Sequence, residues 1–261
     1  MEKRSVCWNI TSRCNENCKF CYRILTDSEN DLEKNKKILE VLAKLSVDKI
    51  SWTGGEALLY PNLIELLKIS KSYGIINNLL TNGKLLSKEK VLELEPYIDY
   101  ITLSYDSNHS DTYKIMGRGE RHGLNVIQSL DFIKDNNINI KIKINTLVSK
   151  INRDEIIDIG RTLEKYNIER WRLFKFMPLR NCAISNSADF EISDDEFRQI
   201  VSNVKKLYGN HIQISERNED KIQSNYILIN SVGDFIITEN MKDKKIYNIY
   251  EENYEILNNY L

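Results

Sequence analysis

The sequence has little of what would divide a chain into domains or direct it to a membrane. Only three of the 261 residues are proline, and there is no glycine- and serine-rich stretch, so we predict no flexible linker. No apolar run approaches the roughly 20 residues of a membrane helix. The charged first residues are not followed by the apolar stretch of a secretory signal. We therefore expect a cytoplasmic protein with no membrane partner.

The sequence also lacks an excess of charge of one sign. Its 37 lysine and arginine residues balance 38 aspartate and glutamate residues, which disfavours a broad nucleic-acid-binding surface. Hydrophobic residues make up 41% of the chain and charged residues 29%, a composition typical of a soluble globular protein. The length suffices for one large domain with a sizeable core.

Short β-rich runs alternate with helical stretches along most of the chain. The predicted strands are 5–11, 48–53, 75–80, 99–105, 138–148 and 169–177, and the predicted helices are 31–45, 60–73, 87–95, 122–135, 153–165 and 192–207. Six strand–helix units predict a parallel sheet with helices outside it. Six are too few for a closed eight-stranded barrel. The predicted fold class is therefore α/β, an open, partial (β/α)6 barrel.

The pattern changes after about residue 208. Short strand-like runs follow at 211–215, 226–230 and 234–238, with Gly233 marking a turn between the last two. We expect residues 1–207 to form the partial barrel and residues 208–261 to form a β-containing extension or lid of the same domain.

Three of the five cysteines are crowded into one short loop after the first predicted strand. Cys14, Cys18 and Cys21 have the spacing C-x3-C-x2-C, and three thiolates on one loop can converge on a single inorganic centre. A structural zinc site is the alternative, but it needs a fourth ligand and usually a second knuckle. Three ligands on iron would leave one metal position open for substrate chemistry. Cys7 and Cys182 are interpreted as ordinary thiols.

The fifth predicted strand alternates isoleucine with polar residues as INIKIKIN over 138–145. If helices cover the isoleucine face, Lys141 and Lys143 point into the barrel. A buried ammonium then requires water or an anionic ligand. The alternative is an edge strand with solvated lysines, which is the commoner case for an isolated sequence of this type.

Two other predicted strands also place cations at alternating positions. Arg170 and Arg172 share a face of the sixth strand, and Lys49 shares one with Ser51 on the second. Lysine supplies a point charge and arginine a planar fork, the two ways in which proteins bind phosphate. The strands together therefore favour a phosphate-rich ligand such as a triphosphate.

The cysteine loop TSRCNENCKFCY resembles the signature of the radical S-adenosylmethionine (SAM) enzymes, and Thr53-Gly54-Gly55-Glu56 resembles their Gly-Gly-Glu motif. The resemblance implies a 4Fe-4S cluster on Cys14, Cys18 and Cys21, with SAM bound beside it. The SAM contacts that it implies are Tyr22, Gly54, Gly55, Glu56, Asn82, Ser104 and Arg118.

Further segments resemble the viperins, the antiviral radical SAM enzymes, over about residues 5–237. They are KISWTGGE at 49–56, MGRG at 116–119, KIN at 143–145, RWR at 170–172, ERN at 216–218 and YILI at 226–229. The substrate-binding residues that this resemblance implies are Lys49, Ser51, Lys143, Asn145, Arg170 and Arg172. It also implies that Tyr226 lies near the substrate radical. Ser51 stands where viperins often carry asparagine, Arg172 where lysine is usual, and Tyr22 where phenylalanine is usual.

The viperin resemblance implies a lyase of the dehydratase type. A 5'-deoxyadenosyl radical would remove the 4' hydrogen of CTP, UTP or GTP, and the 3' hydroxyl would leave as water. The product would be the 3'-deoxy-3',4'-didehydro nucleotide. A flavodoxin or ferredoxin would supply the electrons, and no nucleic-acid partner is expected.

Two other functions stay open at the level of sequence. The first is a radical SAM enzyme that acts on another anionic small molecule or on a peptide. The second is a zinc-stabilised module that binds nucleic acid.

Among the remaining residues, we expect Trp8, Trp52 and Trp171 to pack between sheet and helices, and His122 to lie on the surface at a helix start.

Overall fold

The computed structural model describes residues 4–218, 227–251 and 253–261. The strands in these residues are β1 Ser5–Asn9, β2 Lys49–Thr53, β3 Ile76–Thr81, β4 Tyr100–Ser104, β5 Lys141–Val148, β6 Ile168–Lys175, β7 Gln213–Arg217, β8 Ile227–Ile229, β9 Asp234–Glu239 and β10 Lys242–Asn248. The α-helices are α1 Leu32–Lys44, α2 Leu63–Ser72, α3 Lys88–Leu94, α4 Ser110–Ile115, α5 His122–Asp135, α6 Ile156–Leu163, α7 Asn181–Ser185, α8 Ser187–Phe190 and α9 Asp194–Tyr208.

All ten strands belong to one sheet, in the order β10-β9-β8-β1-β2-β3-β4-β5-β6-β7. The eight neighbouring strands from β8 to β7 in this order pair in parallel. The pairs β8–β9 and β9–β10 are antiparallel. Within the described residues, no pairing joins β7 to β10, so the sheet stays open. The predicted α/β class and open, partial barrel are thereby confirmed.

Along each strand, successive side chains point alternately into the helix-covered core and towards the concave side of the sheet. Trp8, Trp52 and Trp171 are fully buried in the core, as predicted. Ile142 and Ile144 of β5 lie in the same core, which explains why the isoleucine face of this strand is so regular. The opposite, polar positions are therefore free to face a cavity.

The helix ends follow local sequence signals. The Asp31 carboxylate accepts a hydrogen bond from the Lys34 amide at 2.9 Å and begins α1. Ser193 and Glu196 form a reciprocal capping box at the start of α9. The six predicted strands and the six predicted helices are all present, although β5 begins three residues later than expected.

The segment after residue 208 contributes strands to both edges of this sheet. β7 pairs with β6 at one edge, and β8 pairs with β1 at the other. The antiparallel pair β9 and β10 then extends the sheet beyond β8. The division into residues 1–207 and 208–261 stays a prediction.

Short elements without a clear period escaped the sequence analysis. They are α4, α7, α8 and β10, of which the three helices have six residues or fewer. None of the helices in the described part of the chain has the length and apolar character needed to span a bilayer.

Candidate active site

The concave side of the sheet encloses a cavity of about 630 Å³. Residues from every strand from β1 to β8 line it, together with the cysteine loop. This volume lies within the range of small-molecule sites, roughly 300–1,000 Å³. The cavity thus brings together the cysteine loop and the polar strand faces that the sequence indicated separately.

The Gly-Gly-Glu turn after β2 braces the start of the cysteine loop. The Gly55 amide donates to the Thr11 carbonyl at 2.7 Å, and the Glu56 amide donates to the Arg13 carbonyl at 2.8 Å. A Cβ atom at position 55 would lie 2.1 Å from the Arg13 oxygen, so only glycine permits this approach. The motif therefore fixes the path of the loop that carries the cysteines.

The Glu56 carboxylate is buried and satisfied within the protein. It accepts hydrogen bonds from the Leu58 amide at 3.1 Å and from the Asn82 amide at 2.8 Å. Burial raises its pKa, although these bonds oppose the shift. The Asn82 side chain donates to Asn15 of the cysteine loop at 2.8 Å. Glu56 and Asn82 thus hold the loop from outside the cavity lining, and their contact with SAM stays a prediction.

Glu16, between the first two cysteines of the loop, is also anchored. Its carboxylate accepts a 2.9 Å hydrogen bond from the Gly119 amide and lies 3.9 Å from Nδ1 of His122. Burial raises the Glu16 pKa, but the nearby His122 ring, the hydrogen bond from the Gly119 amide and the charge of Arg118 outweigh it and lower the pKa. His122 is buried and its Nε2 lies 2.9 Å from the Ser104 carbonyl, so the predicted surface position is wrong.

The three loop cysteines are partly buried, and Cys21 lines the cavity. Burial raises the pKa of Cys18 to about 12. Across the described ranges 4–218, 227–251 and 253–261, no three cysteine, histidine or acidic side chains converge closely enough for a single metal ion. A 4Fe-4S cluster binds its cysteines through different irons, so it does not require the three sulfurs to converge on one point.

Two arginines place positive charge beside the cysteines. Arg23 approaches the Cys21 sulfur to 3.9 Å, and Arg118 lowers the Cys18 pKa against the effect of burial. The Nε atoms of both arginines are buried without a hydrogen-bond partner. Cysteine sulfurs that lie beside cations and beside N–H groups with unused hydrogen-bonding capacity are suitable ligands for an iron–sulfur cluster.

A buried ion pair holds Arg118 at the cavity. Its guanidinium lies 2.9 Å from the Asp106 carboxylate and 5.1 Å from the centre of the Phe20 ring of the cysteine loop. The Asp106 carboxylate also accepts a 2.7 Å hydrogen bond from the Leu147 amide. Of the predicted SAM contacts, the cavity lining includes Tyr22, Gly54, Ser104 and Arg118.

A wall of cations lines the same cavity. Lys49, Arg170 and Arg172 lie in its lining, with Ser51 and Asn145 beside them. Lys143 is buried next to them, and its Nζ lies 3.2 Å from the centre of the Tyr100 ring. The remaining predicted inward cation, Lys141, is exposed and pairs with Glu169 at 3.5 Å, because it lies at the start of the strand, outside the cavity.

Burial depresses the pKa of Lys143 to about 7, and repulsion from Arg170 and Lys49 adds to this effect. Glu169 opposes the shift, and Arg172 contributes to it. We expect triphosphate binding at pH 8 to take up about one proton, because an anion restores the ammonium form. Calorimetry in buffers of different ionisation enthalpy measures this uptake. In Lys143→Met the uptake should disappear, and an unchanged uptake would contradict the assignment.

The lowered pKa of Lys143 also makes the free energy of unfolding depend on pH. The pKa of Lys143 in the folded protein lies below its usual value of 10.5, so the unfolded chain binds more protons between about pH 7 and pH 10.5. The contribution of Lys143 to the free energy of unfolding therefore rises with pH across this window. Urea denaturation of the wild type and of Lys143→Met across that range would reveal the difference.

Several cavity residues were missed by the sequence analysis. Asp106 and Asn78 line the cavity, as do Thr102 and Arg217. Asp106 follows the end of β4 and Arg217 ends β7, positions where parallel sheets place functional side chains, so position along the strand was the available signal. Cys7, interpreted as an ordinary thiol, also lines the cavity. The predicted catalytic residue Tyr226 lies outside the described residues.

Comparison with known proteins identifies the family and supports the fold. The family model described as the radical SAM superfamily matches residues 8–163. A protein of Flammeovirga pacifica named S-adenosylmethionine-dependent nucleotide dehydratase is 30% identical over 246 residues, covering 90% of this chain and 83% of that protein. A protein of the same name from Thermoplasmatales archaeon (strain ISO4-H5) is 27% identical over 237 residues, with 90% and 83% covered.

Among solved structures, Streptococcus suis SuiB bound to S-adenosylmethionine superposes with a TM-score of 0.78 at 17% identity. The superposition covers 97% of this chain and 65% of SuiB. At this identity the similarity shows a shared fold. The match of the family model to residues 8–163 shows that the chain belongs to the radical SAM superfamily and is an enzyme whose cofactor is SAM. Within that superfamily it is a viperin-like member, as the sequence predicted.

Proposed function

We propose that this enzyme dehydrates a ribonucleoside triphosphate, CTP, UTP or GTP, to its 3'-deoxy-3',4'-didehydro analogue. The observation that carries the proposal is the wall of cations in the cavity that also receives the cysteine loop. Burial and repulsion between neighbouring cations lower the pKa of both Lys143 and Arg170, and a bound anion would offset that repulsion. The nucleotide dehydratase name of the similar proteins supports the same substrate class.

Cys14, Cys18 and Cys21 would hold a 4Fe-4S cluster, and the lining residues Tyr22, Gly54, Ser104 and Arg118 would contact SAM. When bound, these two cofactors supply the 5'-deoxyadenosyl radical chemistry that removes the 4' hydrogen. An external reductant such as a flavodoxin or ferredoxin would deliver two electrons, one for the cleavage of SAM and one for the nucleotide radical once its 3' hydroxyl has left as water. Arg118, fixed by Asp106 at 2.9 Å, keeps a positive charge beside the loop.

The protein's own task is to bind the substrate and to exclude water. Lys49, Lys143, Arg170 and Arg172 would bind the triphosphate, while Ser51 and Asn145 offer neutral hydrogen bonds. Arg217 extends this set: burial lowers the pKa of the Arg170 guanidinium, and the nearby charge of Arg217 lowers it further. The apolar lining of the cavity would keep bulk water from the radical; it includes Leu80, Leu147, Phe174, Leu179 and Leu228.

The proposal is tested by incubating reconstituted enzyme with SAM, a reductant and each ribonucleoside triphosphate in turn. We expect one triphosphate to accelerate formation of 5'-deoxyadenosine and to lose one water. If no nucleotide changes the rate, the nucleotide assignment is wrong. Inorganic tripolyphosphate should compete, whereas a peptide-binding site should be indifferent to it.

Replacing Arg172 with glutamine is expected to raise KM for the triphosphate by about 10- to 100-fold, because a charge-assisted contact contributes roughly 1.5–3 kcal/mol. kcat should change much less, since the triphosphate is held alike before and during the reaction. Arg161→Gln, at an exposed arginine of α6, is the matched control. An equal effect of both substitutions would contradict a role for Arg172 in binding.

A second candidate is a different reaction on the same class of substrate. A protein of Aquifex aeolicus (strain VF5) named GTP 3',8-cyclase is 29% identical over 213 residues, covering 77% of this chain and 64% of that protein. Mass spectrometry separates the two, because a dehydrated product is lighter than its substrate by one water and a cyclised isomer is not. Since the chain is a radical SAM enzyme, the zinc-stabilised nucleic-acid module is set aside.

A further inference from the structure

A chain of three hydrogen-bonded polar side chains crosses the cavity wall from β4 to β2. The Thr102 hydroxyl donates to Oδ1 of Asn78 at 2.8 Å. Nδ2 of Asn78 donates in turn to the Ser51 hydroxyl at 3.2 Å. All three residues line the cavity, and Asn78 and Thr102 are each only 5% exposed.

The direction of the first hydrogen bond determines the direction of the second. A carboxamide has an acceptor oxygen at one end and a donor nitrogen at the other. When its oxygen receives the Thr102 hydrogen, its nitrogen faces Ser51 and donates to it. The Ser51 oxygen is then an acceptor towards Asn78, which leaves its own hydroxyl hydrogen available for the cavity.

The availability of that hydrogen matters because of what surrounds Ser51. Lys49 lies two residues earlier on the same face of β2, and Arg170 and Arg172 contribute to the same lining. A phosphate oxygen drawn there by the cations can only accept hydrogen bonds. With the Asn78 amide reversed, the serine hydrogen would point at Asn78 and its lone pairs would face the anion, which is repulsive.

We infer that Asn78, held by Thr102, is a positioning residue that makes Ser51 a hydrogen-bond donor to a phosphate oxygen of the substrate. The inference rests on the proposed function, because it assumes that the anion in the cavity is the triphosphate. Thr102 and Asn78 act through Ser51 by fixing the direction of its hydroxyl.

The inference predicts energetic coupling between Thr102 and Ser51, whose side chains make no direct hydrogen bond among the described residues. Thr102→Val keeps the side-chain shape and removes the hydroxyl, so the Asn78 amide loses its fixed orientation. In the holoenzyme we expect Thr102→Val to weaken tripolyphosphate binding by about tenfold, the scale of one hydrogen bond to a charged group. KM for the nucleotide should rise by a similar factor with little change in kcat.

A double-mutant cycle isolates the effect. Binding of inorganic tripolyphosphate is measured by calorimetry for the wild type, Thr102→Val, Ser51→Ala and the double variant. We expect Thr102→Val to have less than about a twofold effect once Ser51 is alanine, since there is then no hydroxyl to orient. Thr102→Ser, which restores the donor, should recover most of the lost affinity.

Each outcome decides the inference. Equal effects of Thr102→Val in both backgrounds, or none in either, would overturn it while leaving the proposed function standing, provided that the wild type binds tripolyphosphate and turns over a nucleotide. If the wild type does neither, the proposed function and this inference fall together. Thermal unfolding of each variant shows whether an affinity loss reflects a damaged fold instead.

Discussion

Cys18→Ala is expected to remove bound iron and to reduce 5'-deoxyadenosine formation to the background level. Cys18 is one of three partly buried thiols on a single loop. A methyl group cannot ligate iron, so the site would keep only two of its three protein ligands. Iron content and visible absorption of the reconstituted protein measure the loss without relying on activity.

Cys182→Ala is the matched control for this experiment. Cys182 lies in the short helix α7 and is partly buried, like the loop cysteines. The control should retain iron and colour at wild-type levels. Retention of iron by Cys18→Ala, or an equal loss in both variants, would contradict the assignment of the cysteine loop.

Asp106→Ala is expected to destabilise the protein by about 3–5 kcal/mol, the typical effect of leaving one member of a buried ion pair without its partner. The side chains of Arg118 and Asp106 are 7% and 2% exposed, and they lie 2.9 Å apart. The substitution also removes the acceptor of the Leu147 amide. Urea denaturation measures the change, and an unchanged m-value would show that only stability is altered.

The exposed pair of Asp158 and Arg161 on α6 provides the comparison. These side chains are 52% and 68% exposed, so Asp158→Ala should cost less than about 1 kcal/mol. A similar small cost for Asp106→Ala would mean that the cavity ion pair is hydrated, and the proposed fixed position of Arg118 would be lost.

Local sequence patterns were sufficient for the fold class. The alternation of INIKIKIN predicted β5, and the helical period of residues 31–45 predicted α1, because each pattern records one side of an element against the core. The segment after residue 208 shows the limit of such patterns. Its strand-like runs were visible, but no local feature indicates that β7 would pair with β6 and β8 with β1.

The candidate site also has features that the sequence shows and features that it does not. The spacing of Cys14, Cys18 and Cys21 is short-range, so it could be read directly. Alternation placed Lys141 and Lys143 on one face, yet only Lys143 is buried near the other cations. Depth within the cavity depends on the stagger between neighbouring strands, which alternation along one strand does not report.

His122 illustrates how packing overrides a local expectation. It begins α5, where a polar residue usually meets solvent, but α5 is placed so that the imidazole lies against Ser104 and Glu16. Burial and the nearby Arg118 lower its pKa, which favours the neutral ring. The Glu56 carboxylate accepts hydrogen bonds from the Leu58 and Asn82 amides, and its contact with SAM stays a prediction.

By itself the sequence determined the open α/β barrel, the three-cysteine loop and the strand faces that carry lysine and arginine, because these are properties of neighbouring residues. Only the tertiary structure decided that Asp106 would hold Arg118, that Asn78 would join Thr102 to Ser51, and that the cations would share a cavity with the cysteines. The two hydrogen bonds of Asn78 join strands that are more than 20 residues apart in the chain. They are fixed by which strands become neighbours and at what register, and by the requirement that buried polar groups find partners.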